Sequence, residues 1–242
     1  MSTYLYGITF ADHPAEVSGL RGVGPSAAPA RVLPAGDKLR AVVGDVDGEL
    51  RAKRRDLLAH QEILQALCEE GPTLPMRFGV VAEDDTAVAE EIAAKADVYT
   101  AVLQRVRGHV EMNVKASHRE DVVLGQILAG DEEIRNLAVT LREDAGRGQA
   151  EQVRFGELVA GRLEQRERED ADAILGYLLP LAAEHSPGPR VDGCFFNCSF
   201  LVPKEKLTEF QDAVQRLTTL VEEVAEVRAQ GPLPPYSFAE DQ

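Results

Sequence analysis

Tryptophan is absent from this chain of 242 residues, and aromatic residues together make up only 5% of it. Burial must therefore fall mainly to aliphatic side chains, with five Tyr and eight Phe as the few large anchors. Cysteine is scarce: Cys68, Cys194 and Cys198 form an odd set of three, which fits free thiols in a reducing compartment. Cys194 and Cys198 share a face of an expected strand but stand roughly 13 Å apart at about 3.3 Å per residue, too far for a disulfide or a shared metal. Positive charge is also short, with 26 Lys and Arg against 41 Asp and Glu, a formal charge of -15. That field repels phosphate backbones, and the basic run Lys53-Arg54-Arg55 is too brief to reverse it, so nucleic acid is excluded as a partner.

Long apolar runs are missing as well. The longest uncharged apolar stretch, Gly193 to Pro203, is far short of a membrane span. The opening Met1-Ser-Thr-Tyr-Leu-Tyr6 lacks the basic-then-apolar pattern of a secretory leader. The expectation is a soluble cytoplasmic chain with no lipid-membrane partner. The dinucleotide and phosphate-loop glycine patterns, the Gly-x-Ser-x-Gly elbow and a paired-carboxylate motif are all absent. His13, His60, His109, His118 and His185 are scattered without metal-ligand spacing. No catalytic residue, cofactor site or metal site is expected, and the chain does not read as an enzyme.

What is present begins with an unusual tail, Gly231-Pro-Leu-Pro-Pro-Tyr-Ser-Phe238. Frayed termini are usually small and polar, whereas these prolines stiffen a stalk that carries Tyr236 and Phe238 outward. Such a tail should dock. The expected arrangement lays it over the sheet or the domain junction as a staple, with the Tyr236 hydroxyl bonded and Phe238 buried; the competing role is a partner-binding extended peptide.

The composition, 44% hydrophobic and 28% charged, suits one large domain or two ordinary ones. Thr3 to Phe10 reads as a buried strand, and strands near Arg31 to Leu33 and Leu39 to Val46 flank the turn Pro34-Ala-Gly-Asp37. Glu49 to Glu70 carries helical spacing. Leu74 to Val81 alternates as a strand that sets Arg77 among apolar neighbours, as a structural cation paired with a nearby carboxylate or as a partner or ligand contact. A helix then runs from Asp84 or Asp85 to about Arg107. In His109 to Lys115 the alternation puts Val110, Met112 and Val114 inward and Glu111, Asn113 and Lys115 outward. This order predicts an N-terminal ferredoxin-like sheet with two backing helices over residues 1–118.

Residues 119–184 turn acidic and helical, with Glu164 to Asp172 as a solvated charge run and Gly146-Arg-Gly148 as a break. His185-Ser-Pro-Gly-Pro189 ends the helical stretch. Val191 to Val202 reads as a covered strand, Pro203 opens a helix, and Val224 to Arg228 returns as a strand parallel to the first. The fold class is thus α+β in two domains, the second (119–242) being a helical layer plus a small sheet with a docking tail at 231–242.

Several stretches together carry a family likeness: Tyr4-Leu-Tyr-Gly-Ile8, Leu74-Pro-Met-Arg-Phe-Gly79, Val110-Glu-Met-Asn-Val-Lys115, Phe200-Leu-Val-Pro203 and Gly231-Pro-Leu-Pro-Pro-Tyr-Ser-Phe238. In that order they resemble the gas vesicle protein GvpF/GvpL family. Met112 and Leu233 stand where that pattern has Trp. The resemblance implies a non-catalytic cytoplasmic accessory protein, associated with gas vesicles, that binds the small hydrophobic shell protein GvpA and assists its nucleation or delivery, with other gas vesicle accessory proteins as further expected partners. An acidic chain with an exposed sheet and no site agrees with that expectation. Arg77, Phe78, Glu111, Lys115, Tyr236 and Phe238 are the candidate partner-binding or interdomain residues, and the N-terminal domain is expected to present the contact surface. A small-molecule-binding or enzymatic ferredoxin-like module with an interdomain pocket near Arg77 is the alternative, and a regulatory module acting on other assembly factors is a third reading.

Overall fold

The computed structural model describes residues 2–14, 16–47, 50–143 and 148–239. Strand β1 (Ser2–Phe10) is the centre of the first sheet. It pairs antiparallel with β3 (Leu39–Val46), which pairs in turn with the edge strand β2 (Arg31–Ala35). The β2–β3 link turns where Gly36 takes φ +76°, a conformation that glycine adopts without a Cβ penalty. A register shift between Leu5 and Gly7 bulges β1. The bulge lets Leu5 and Ile8, an odd number of residues apart, pack into one core while Tyr4 and Tyr6 pack into the other.

The two cores lie on opposite faces of this sheet. Helix α1 (Arg54–Glu70) presents His60, Ile63, Leu64 and Leu67 at helical spacing to the Tyr4 and Tyr6 side. Helices α2 (Asp85–Ala94) and α3 (Ala96–Val106) bring Val88, Ile92, Val102, Leu103 and Val106 to the Leu5 and Ile8 side. Both faces of β1 are therefore covered, where two helices on one side were expected. The expected single helix over 85–107 breaks at Lys95, where ψ rises to 20°, so that each half can press its own stripe on the sheet. Asp84 caps α2 by accepting from the Ala87 N–H at 2.9 Å. Helix α1 begins at Arg54, later than the Glu49 expected for it; Glu49 itself lies outside the described residues.

The stretch read as one strand, Leu74 to Val81, is two. Strand β4 (Thr73–Pro75) and strand β5 (Val81–Ala82) both pair antiparallel with β1, but in different registers. The residues between them loop out through Gly79 at φ +97°. Alternation fails here because the β1 bulge and the left-handed glycine change the register in mid-segment.

The second sheet has the order β7-β8-β6-β9, built from β6 (His109–His118), β7 (Glu184–Pro187), β8 (Phe196–Pro203) and β9 (Ala225–Leu233). β6 thus belongs to this sheet and not to the first. Bonds from Phe195 N–H to Ala116 O and from Lys204 N–H to Gly108 O run β8 antiparallel to β6. The bond from Arg119 N–H to Val224 O does the same for β9. β8 and β9 are consequently parallel, as their connection through α7 (Leu207–Val221) predicts, with β6 inserted between them. The His185–Pro189 breaker holds the short edge strand β7. Helices α4 (Glu120–Gly130) and α5 (Glu132–Glu143) pack on α6 (Gln149–Leu178), whose N-cap is Gly148. Gly146 and Arg147, the rest of the expected break, lie outside the described residues.

Contacts group the chain into two compact units: Met1–Met112 with Leu201–Lys204 and Gly231–Gln242, and Asn113–Phe200 with Glu205–Gln230. The division differs from one at 118/119, and the tail counts with the first unit. Among the described residues, no helix is long and apolar enough to cross a membrane, and no group of three or more His, Cys, Asp or Glu side chains is placed to hold a metal. The three cysteines are free, and burial pushes the Cys68 thiol up to about 12 and Cys198 to about 11, so both behave as neutral packing groups.

Candidate functional site

The first unit gathers four of the six candidate residues around one histidine and one docked tail. His60 occupies an apolar-stripe position of α1 and is only 4% exposed. Its ring is 5.7 Å from Tyr4 and from Phe78, and 5.8 Å from Tyr6. The Gly79 N–H donates to the Tyr4 oxygen at 3.1 Å, and the Tyr4 hydroxyl lies 2.9 Å from His60 Nδ1. Donation from Tyr4 to Nδ1 leaves the proton on His60 Nε2, which faces the Met76 carbonyl at 3.1 Å. Burial lowers the pKa of His60 and raises that of Tyr4, so both stay neutral near pH 7.

This cluster braces the loop between β4 and β5. Met76 N–H bonds to Tyr6 O at 2.8 Å, Leu5 N–H bonds to Val80 O at 3.0 Å, and Phe78 packs beneath. Arg77, expected among apolar strand neighbours, is exposed on this loop because the strand stops at Pro75. Val80 and Val81 are exposed beside it. A cation and two apolar side chains are therefore held outward on a loop anchored from within.

The tail docks nearby. After Leu233 the chain forms a single 3-10 turn, Tyr236–Phe238, in place of a continued stalk. Phe238 is 2% exposed in the core with Leu103 and Leu201, and its carbonyl accepts from Arg105 Nη2 at 2.6 Å. Tyr236 lies over the other core with its hydroxyl 3.4 Å from His60 Nε2, and burial pushes its pKa up to about 12. Glu111, expected to face outward, is 4% exposed. Its carboxylate accepts from both the Ser237 N–H and the Ser237 hydroxyl, each at 2.8 Å. The tail itself covers Glu111, a contact between residues far apart in sequence that strand alternation does not register.

Gly231 makes the approach possible: at φ +148°, a Cβ there would stand 2.5 Å from Met112 Sδ and 2.8 Å from the Glu111 carbonyl oxygen. Lys115 is not part of this constellation; it lies half-buried on β6 in the second unit. Sequence reasoning missed His60 and Arg105. For His60 the signal existed, since it sits one turn before Ile63 and Leu64 on the stripe of α1.

The family model described as gas vesicle synthesis protein GvpL/GvpF matches residues 2–240. Gas vesicle protein F of Streptomyces sp. (strain CB03234) is 39% identical over 240 residues, covering 99% of this chain and 100% of the relative. Gas vesicle protein L of the same organism is 29% identical over 261 residues, covering 98% and 92%. Crystal structures of GvpF from Anabaena sp. PCC7120 and from Microcystis aeruginosa superpose with TM-scores of 0.79 and 0.80 at 21% identity. The first covers 100% of this chain and 97% of that one; the second covers 99% of each. On the near-full-length match, the chain belongs to the gas vesicle synthesis protein GvpL/GvpF family.

Proposed function

We propose that this protein is a cytoplasmic, non-catalytic factor of gas vesicle assembly that binds the small shell protein GvpA and assists its nucleation or delivery. Family membership supports the assembly role. The loop between β4 and β5 supports a contact surface on the first unit: Arg77, Val80 and Val81 are exposed there while Phe78 and Gly79 are fixed from below. A pre-anchored loop loses little conformational entropy on binding, and its mixture of apolar and cationic groups suits an apolar partner with polar edges. Glu111, Tyr236 and Phe238 then serve the loop indirectly, by holding the tail over the core that anchors it.

The test is capture of purified GvpA by the full-length protein carrying Arg77→Glu with Val81→Asp. A fragment of residues 1–118 is unsuitable, because Leu201 and Phe238 belong to the core of the first unit. Loss of capture with an unchanged melting curve is the expected result. Undiminished capture by the folded double variant would remove the loop from the contact surface.

A further inference from the structure

Among the described residues, every sheet edge but one is blunted against pairing with another chain. β4 and β5 have three and two residues, β7 has four and ends in Pro187, and β2 carries Pro34. β9 is the exception: it has nine residues, is the last strand of its sheet beyond β6, and runs from Ala225 to Gln230 without Pro or Lys. An edge of that length is a template for a further strand.

The pairing with β6 fixes which backbone groups are left over. Arg119 N–H donates to Val224 O at 2.9 Å, and seven residues along both strands a Cβ on Gly231 would stand 3.3 Å from Met112 Cα. The two approaches share one register. In an antiparallel ladder the N–H and C=O of one residue point the same way, and successive residues alternate. Val224 faces β6, so Glu226 and Arg228 face it too, and the backbone groups of Ala225, Val227 and Ala229 point to the open edge. The Ala225 and Val227 side chains are buried, whereas those of Glu226 and Arg228 stand on the other face, 52% and 73% exposed. These two pair with each other at 2.8 Å, an exposed contact that specifies little.

A second copy laid antiparallel on this edge must match outward groups with outward groups. With the two-fold axis at Val227, Val227 pairs with itself and Ala225 with Ala229 of the second copy. Glu226 then comes opposite Arg228 of the second copy, and by symmetry Arg228 opposite its Glu226. Both are non-hydrogen-bonded positions, where facing side chains approach most closely. An axis at Ala229 would set Arg228 against Gln230 instead, and one at Ala225 would run it past the start of the strand. The edge is thus self-complementary in a chain whose formal charge is -15.

We propose that β9 joins β9 of a second copy of this chain across a two-fold axis at Val227, making one sheet continuous through two molecules. The proposal goes beyond the contact assigned to the first unit and stands on a different surface. Ala225 to Ala229 on each side is far fewer than the about 20–30 residues of a standard interface, so the dimer is weak and concentration-dependent. Sedimentation equilibrium of the full-length protein from micromolar to submillimolar concentration reads it. Glu226→Arg sets Arg against Arg, and Arg228→Glu sets Glu against Glu, so each weakens the dimer by about tenfold. Glu226→Arg does so although it lowers the net negative charge. The double swap of Glu226→Arg with Arg228→Glu restores opposite charges and the dimer with them. Ala229→Pro, which removes an outward N–H, abolishes it. A chain that is monomeric throughout the range overturns the proposal. So does a dimer that ignores the single substitutions, one that Glu226→Arg tightens, or one that the double swap fails to recover. A monomer that captures GvpA and loses that capture with Ala229→Pro also overturns it, since the edge then takes a strand of another protein. Circular dichroism melts of all four variants establish that they fold.

Discussion

Helix α1 has 17 residues and buries five side chains; helix α6 has 30 and buries two. The difference is not one of helix-forming tendency, since both are rich in strong helix formers. It lies in what the buried positions do. In α1 two of the five are polar, Asp56 and His60, and each holds a loop: Asp56 accepts from the Gly24 N–H at 3.0 Å, and His60 bonds Tyr4 and faces the Met76 carbonyl. In α6 the charges pair along the surface, as in Arg166 with Asp170 and Arg168 with Glu164, and burial is confined to Ile174 and Leu178. A satisfied buried polar group specifies where a neighbour sits, whereas an exposed ion pair contributes little and specifies little. The first unit is thus internally determined, and the second leaves apolar surface open.

That contrast can be broken at the tail first. Truncation after Gln230 removes Phe238 and strips both Ser237 donors from Glu111, so a loss of about 3–5 kcal/mol is expected, as for deletion of a buried ring. At about 2–4 °C per kcal/mol in a chain of this size, the melting temperature falls by roughly 10 °C. Glu111→Ala should cost about 1–3 kcal/mol by removing the buried carboxylate that accepts from both Ser237 donors, read by urea denaturation. A smaller effect comes from pH. Burial holds the pKa of His60 and of His13 below the ordinary value, so the unfolded chain binds protons that the folded chain refuses. Stability is therefore complete above about pH 6.5 and declines as the pH falls toward the folded values. Melts between pH 8 and pH 5 should show this decline, and His60→Gln should flatten it; a melting temperature that climbs toward pH 5 contradicts it. The smallest effect is in the second unit, where Leu220→Asp should alter stability by no more than about 0.5 kcal/mol, as exposed substitutions do.

Much of the architecture is legible from local pattern. The β2–β3 hairpin is marked by its proline-led turn, α1 by its stripe, and the β8–α7–β9 unit by its alternation of periods. The burial of Phe238 follows from an apolar ring on a stiff terminus. What stays hidden depends on partners far along the chain. No local rule places β6 beside β8 and β9, reveals the bulge that divides 73–82 into two short strands, or shows that Glu111 lies beneath residues more than a hundred positions later. Arg77 illustrates the limit: its alternation with Leu74, Met76 and Phe78 is regular, yet Gly79 at φ +97° removes the strand that would have buried it. Lys115 belongs to a strand, as its alternation predicts, but that strand carries it into the other unit.

The order in which the chain is made gives the docked tail another meaning. Ile8, Leu39, Val88 and Leu103 are synthesised early, but the core they share also contains Leu201 and Phe238. Domains built from one continuous segment close while later residues are still being added. Here the first unit stays incomplete until Leu201 and Phe238 have been made, long after its first strands, and its aromatic loop becomes fully braced only when the Tyr236–Phe238 turn settles on Glu111 and Arg105.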